Sequence, residues 1–280
     1  MYMKKTILSV FSLLFTGLLF AQTPTTKIVL NNDEKITVEN TLNFEATVMG
    51  MAISNNSTTL NSLVVKNTTD QHYTITNTMT KIKTDMNAMG QNESYNSETD
   101  NASSDIGKAM SERLNKPEEV MLDKNTGNAT VVASKEKKKS GEDAVPMEGL
   151  MNLVGDNSAD AMVSGAFELV PQGKKVGDKW SDSSSSKEGK VVRNYTLKSI
   201  DGNIATIGLD AKITANTKID FQEMEMELKS TTVTTGEFTT DIVTGKVKKK
   251  TTNSNIEGSV QLMGQDVPIS ATAVTSTVYN

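Results

Sequence analysis

Three glutamates alternate with apolar residues in Glu223-Met224-Glu225-Met226-Glu227-Leu228. On a strand this spacing sets three carboxylates on one face and three apolar side chains on the other. Three carboxylates in a row attract a cation such as calcium, but the Gly-turned Asp/Asn loop of a strong calcium site is missing. A solvated strand face is the simpler account. His72 is the single histidine. As a general base it needs a nucleophile and an orienting acid, and no G-x-S-x-G or other nucleophile motif occurs. Its place beside Asp70 reads as a surface turn. With no cysteine and one histidine, thiol chemistry and Cys- or His-based metal clusters are excluded. The expectation is a protein that is not an enzyme and holds neither metal nor cofactor.

Methionine is the more suggestive residue. Met49, Met51, Met79, Met224, Met226 and Met263 all fall on expected strands. Flexible thioethers fill a core poor in Phe and Trp, and they equally line an apolar pocket that adapts to a lipid or similar ligand. Met49-Gly-Met51 and Met224-Glu-Met226 also suit Cu(I) by softness, but the lack of nearby His and of denser Met clusters argues against copper. The lysine runs Lys135–Lys139 and Lys246–Lys250 offer contacts to anionic headgroups or polysaccharide. Lysine also blocks aggregation at sheet edges, which accounts for Lys246, Lys248 and Lys250 without a ligand.

The first 21 residues have the layout of a secretory leader. Lys4 and Lys5 precede an apolar run from Ile7 to Phe20, and the run closes in Leu19-Phe20-Ala21 before Gln22. That run is short for a membrane span. With Lys4 and Lys5 lost, 27 basic side chains face 34 acidic ones, a net charge of −7. A mildly acidic chain argues against nucleic acid as a partner. The strands suit a membrane barrel, but aromatics are 5% of the chain, too few for interfacial girdles. A periplasmic or secreted protein that does not span the membrane is expected.

These candidate residues must be positioned by strands. Threonine, favoured on half-buried pleated surfaces, is frequent on both flanks and absent between Thr130 and Thr196. Thr58–Lys66 and Tyr73–Lys83 read as strands about a turn at Thr68–Gln71, with Tyr73, Ile75, Asn77, Met79 and Lys81 on one face. Val191–Ile200 and Asn203–Ile213 flank the hairpin turn Asp201-Gly202. Asp123…Gly127 and Asp241…Gly245 are matching turns, and Val48-Met-Gly50 echoes Leu262-Met-Gly264. These echoes suit either an old duplication or a meander reusing one turn chemistry. In the middle, Ile106, Met110 and Leu114 have helical spacing, as do Met147, Leu150, Met151 and Val154. A third short helix is expected over Ser158–Leu169 with Asn157 as its cap, and Ser181–Ser186 as a low-complexity turn.

The segment Phe167–Trp180, FELVPQGKKVGDKW, with Gly177-Asp178 and Trp180 after a leader ending in Ala-Gln, resembles a family of exported, mostly β proteins of Bacteroidetes-type bacteria. That family has no established activity. The resemblance implies a compartment and a β fold and carries over no site residue. Physically, the element is a loop entering a strand, with Trp180 as a packing anchor.

The fold expected is mainly β and antiparallel, with two related β regions forming a curved sheet or half-open barrel and joined by two or three short helices. Residues 1–21 form the leader, 22–134 an N-terminal β region, 135–171 a charged and helical connector, and 172–280 a C-terminal β region. The function expected is a non-enzymatic binding or carrier protein of the cell envelope with a Met-lined apolar pocket. The alternative is a structural or protein-interaction module of the envelope that docks a partner through exposed strands.

Overall fold

The computed structural model describes residues 25–48, 50–88, 90–132, 158–186, 189–221, 224–262 and 265–280. Alternation of apolar with hydroxyl and amide side chains directs most of these into strands. They are β1 (Lys35–Val48), β2 (Met51–Thr68), β3 (His72–Ala88), β4 (Gln91–Asn96), β5 (Pro117–Asp123), β6 (Ala129–Val131), β7 (Lys179–Ser185), β8 (Gly189–Asp201), β9 (Ile204–Phe221), β10 (Met224–Asp241), β11 (Val247–Leu262) and β12 (Gln265–Tyr279). Two short helices accompany them, α1 (Asp105–Ser111) and α2 (Ala159–Gly165). All twelve strands join one antiparallel sheet in the order β6-β5-β3-β2-β1-β12-β11-β10-β9-β8-β7, with β4 beside β3. The two β regions are therefore continuous: β1 pairs with β12 from Val38 opposite Tyr279 to Val48 opposite Ile269. The mainly antiparallel β class and the curved, unclosed sheet are as the sequence implies.

One face of this sheet is the core face. Ile36, Val38, Leu42, Phe44 and Ala46 on β1 alternate with exposed or half-buried residues, and Ile269, Ala271, Ala273 and Tyr279 do the same on β12. The sheet curls strongly toward that face. The β5–β6 turn and the β10–β11 turn are separated by five strand spacings, roughly 24 Å on a flat sheet. Ile28 nonetheless spans them: its side chain lies 3.6 Å from the Cβ position of Gly127 and 3.4 Å from that of Gly245. Close approach within the C-terminal wing helps the curl, because a Cβ at Gly236 would stand 2.4 Å from the Thr251 carbonyl oxygen.

The two turns are built alike. Asp123 Oδ1 accepts from the Asn125 and Thr126 amides at 2.8 and 2.9 Å, and Asp241 Oδ1 accepts from those of Val243 and Thr244 at 2.9 and 3.0 Å. Both end in a left-handed glycine, Gly127 at φ 71° and Gly245 at φ 75°. The extended N-terminal segment ties them together, with the Ile28 amide donating to Lys124 O at 2.8 Å and the Val29 amide to Thr244 O at 3.0 Å. Lys246 and Glu34 add a partly buried ion pair to the same tie. Helix α2, capped by Ser158, buries Ala159 and Val163 beneath, and Ser164 Oγ donates to Gly127 O at 2.8 Å. The resulting cluster draws Val120 and Leu122 of one wing together with Tyr195, Leu197 and Ile207 of the other. Each large apolar side chain so buried stabilises the fold by about 1.5–3 kcal/mol.

Four local expectations change. The face of β3 switches at a bulge: Leu60 lies opposite Lys81 but Asn61 lies opposite Met79, leaving Thr80 extra. Ile82 and Thr84 are therefore buried and Lys81 exposed. Ser181–Ser186 is mostly strand β7 rather than a turn, since a sheet-edge strand with an exposed pattern accepts serine at almost every position. Lys246, Lys248 and Lys250 do not guard an edge, because β11 lies inside the sheet between β10 and β12. The cap of α2 is Ser158, one residue past the expected Asn157. The Met147–Val154 helix and the Lys135–Lys139 run lie outside the described residues.

Candidate functional site

The methionines divide by position. Met51 opens β2 at the β1–β2 hairpin, opposite Val48, and is 37% exposed. Met79 packs with Met86, Met110 and Leu114 around Ile82, Tyr95 and Ile106, where α1 meets β3 and β4. In β10, Met224 stands opposite Phe221 and Met226 opposite Ile219. Met49 and Met263 lie outside the described residues. By register, the β1–β2, β3–β4, β9–β10 and β11–β12 hairpins all close at the end of the sheet away from α2. The structure thus places Met51, Met224 and Met226 toward one end and Met79 in a separate cluster.

His72 is a turn residue as expected. Its amide donates to Thr69 Oγ1 at 3.0 Å, and its ring lies 3.7 Å from the Asp123 carboxylate. Burial alone would raise the Asp123 carboxyl; bonds from Asn125 and Thr126, with the nearby His72, hold it below its ordinary value. Leu228 is buried while Glu227 stands 3.5 Å from Lys229, so this end of the glutamate row is a solvated strand face. An open groove of about 460 Å³ at the tips of β2, β3 and β4 is lined by Ser54, Asn56, Asp85, Asn87, Asn92 and Glu93, with Met86 beside them. Seven of its eight lining residues are polar, Met86 being the exception.

The inner face holds a feature that spacing alone does not reveal. Trp180 stacks on Tyr195 with ring centres 5.3 Å apart and 12° between planes, and Tyr195 meets Phe238 edge-on at 6.3 Å. Trp180 is thus the packing anchor expected of it. Tyr195 Oη donates to Asp182 Oδ2 at 3.0 Å, and Arg193 pairs with Asp182 Oδ1 at 3.1 Å. Lys250 stands opposite Phe238 on one side and Thr277 on the other, so it shares the inner face with them. Glu168 approaches from the strap that follows α2; its amide donates to Gly245 O at 2.8 Å and its carbonyl accepts from Thr240 Oγ1 at 3.1 Å.

The electrostatics of this group are unusual. Burial pushes the Glu168 carboxyl up to about 7; Lys250 draws it down, Asp182 pushes it further up, and Arg193 draws it down. Loss of water pushes the Lys250 ammonium below its usual value, opposed by Glu168 and reinforced by Arg193. The Tyr195 hydroxyl is raised by burial and by the Glu168 and Asp182 carboxylates. The signal that would have exposed the group is a charge in an apolar setting: Glu168 between Phe167 and Leu169, and Lys250 two residues into the alternation that leads to Ser254 and Ile256.

Toward the far end the inner face carries a second apolar cluster beside the paired Asn55 and Thr84. Leu42, Phe44, Ala46, Ile53, Ile256, Ala271 and Ala273 form this cluster from four neighbouring strands. Among the described residues no group of three His, Cys, Asp or Glu could hold a metal ion, and no helix is long and apolar enough to cross a membrane.

The fold defines a class: one unclosed antiparallel sheet, curled around its core face and clasped at one end by a helix and two straps. The chain belongs to DUF6263, a family of unknown function, whose model matches residues 70–247. No curated protein matches the chain. Among solved structures, a chain from a study of lipid–protein interactions in lipovitellin is similar over 90% of this chain at 10% identity and a TM-score of 0.46. This chain spans 25% of that one.

Proposed function

We propose that this protein is an exported, non-enzymatic carrier of the cell envelope that takes an apolar or amphiphilic ligand on the inner face of its sheet. The observation behind this reading is the unclosed curl. The sheet wraps until Ile28 reaches both the β5–β6 and β10–β11 turns, yet β6 and β7 remain as separate edges. A curled sheet with an apolar inner face is a natural receptor for an extended apolar chain. In this reading Met51, Met79, Met224, Met226, Met49 and Met263 supply adaptable lining. The leader-like first 21 residues support export to the periplasm or beyond, and no cofactor is needed. The test is native mass spectrometry of the delipidated mature protein after exposure to an envelope lipid extract. A discrete bound mass is expected; recovery of the bare chain alone overturns the proposal.

A second reading has its own observation. Strand β7 is an edge of seven residues, nearly all exposed, and such an edge can accept a strand from another protein. Cross-linking in intact cells then recovers one defined envelope protein through residues 179–185. Its absence counts against this alternative.

A further inference from the structure

Neither charge at the centre of the inner-face group is satisfied by the fold. Among the described residues, Lys250 Nζ and the Glu168 carboxylate have no hydrogen-bonding or ion-pair partner. They influence one another electrostatically but lie beyond ion-pair distance. Asp182 is already engaged by Arg193 and Tyr195. The uncommitted charge in this group is therefore positive. An ammonium and a carboxyl held partly out of water with no partner cost stability that a ligand can return by bonding to both. Beside them Gly236, opposite Leu209 on one side and Thr252 on the other, contributes no side chain to the inner face.

We propose that Lys250 and Glu168 receive the anionic headgroup of an amphiphile, Lys250 supplying the positive charge and the Glu168 carboxylic acid donating a hydrogen bond. The tail then runs along the apolar face toward Phe44 and Ile256. This rests on the carrier reading of the same face and narrows it to ligands bearing a carboxylate, phosphate or sulfonate oxygen. A Glu168 midpoint near neutrality supports the donor role, because the protonated acid is available at and below pH 7. The charged groups facing it, Lys250, Arg193 and Asp182, lie on β11, β8 and β7 and do not themselves supply a donor–acceptor partner to it. Binding is consequently coupled to proton retention at Glu168.

Calorimetric titration of the mature chain with decanesulfonate, decanol and decyltrimethylammonium tests this, since none of the three headgroups titrates near neutrality. Decanesulfonate should bind at least about tenfold tighter than decanol at pH 6. K250M should erase that advantage, and K250R should keep part of it. Above pH 7 the sulfonate affinity of the unaltered chain should fall by up to about tenfold per pH unit, and E168Q should flatten that fall. The pH profile of the unaltered chain needs no variant to fold. Equal affinity for sulfonate and alcohol, a preference for the ammonium, or an advantage that survives K250M overturns the headgroup site while leaving the carrier reading standing. Failure of all three compounds to bind overturns both.

Discussion

The two wings of the sheet fill the polar positions of the same inner face differently, one with neutral pairs alone and the other with added charges. In the N-terminal wing amides and hydroxyls pair with each other: Asn61 Nδ2 donates to Asn77 Oδ1 at 3.0 Å, Thr84 Oγ1 to Asn55 Oδ1 at 2.8 Å, and Thr277 Oγ1 reaches Asn40 Oδ1 at 2.8 Å from β12. Among the described residues only Asn61 Oδ1 is buried there without a partner. The C-terminal wing has one such pair, Thr234 with Ser254 at 2.8 Å, and adds Arg193, Asp182, Glu168 and Lys250 on that face, leaving the last two uncommitted. Neutral pairs that close on themselves fix strand register at small cost. Charges left open destabilise the free protein and favour whatever completes them. Under the carrier proposal, the contrast separates a wing that serves the fold from one that also offers charge to a ligand.

The largest way to break that contrast is to damage the structural wing. Leu122 is fully buried where β5 meets α2 and the straps, so L122A should cost about 3 kcal/mol in urea denaturation. Next is the pH dependence of the charged wing. The folded-state value of Glu168, about 7, stands above its ordinary 4.5, so the folded protein keeps a proton the unfolded chain has lost. Its favourable contribution is present below about pH 4.5 and is lost as pH rises through 7, a change of about 3 kcal/mol. E168Q should flatten this slope in denaturation series from pH 5 to 8. Smaller still is N77A, which strands the Asn61 amide donor and should cost about 1–2 kcal/mol. K250M removes a group that already lacks a partner, and its stability should stay within about 1 kcal/mol of the unaltered chain.

What was legible in the sequence follows the same division. Alternation in Tyr73-Thr-Ile75, the Asp201-Gly202 hairpin and the matching Asp–Gly turns are local signals, and the strands and turns stand where those signals put them. The Ile106/Met110/Leu114 spacing marks α1 and the turn after it, although the helix itself stops at Ser111. The bulge at Thr80 leaves no local mark, since an extra threonine in a threonine-rich strand changes nothing in the pattern until the partner strand is known. Strand β7 resembled a loop because an edge strand need bury little. The lysine run suggests an edge, and its interior place is invisible locally because strand order is a property of the whole sheet. The Glu168–Lys250 group is hidden because one residue lies in the strap after α2 and the other in β11, and they meet only where the strap is tied to Gly245 and Thr240 of the β10–β11 hairpin. The methionines, conspicuous in sequence, are spread over hairpin ends and the α1 cluster rather than gathered at that group.

The central claim is that the ligand's headgroup and the fold's neutral Asn61–Asn77 pairing sit on different wings of one inner face. Hydrogen–deuterium exchange of the mature protein with and without decanesulfonate tests it most directly. The account predicts slowed exchange in residues 166–170, 189–197 and 245–256, with residues 58–65 and 73–77, which carry the Asn61–Asn77 pair, unchanged. Equal protection of both wings, or protection confined to the N-terminal wing, would contradict it.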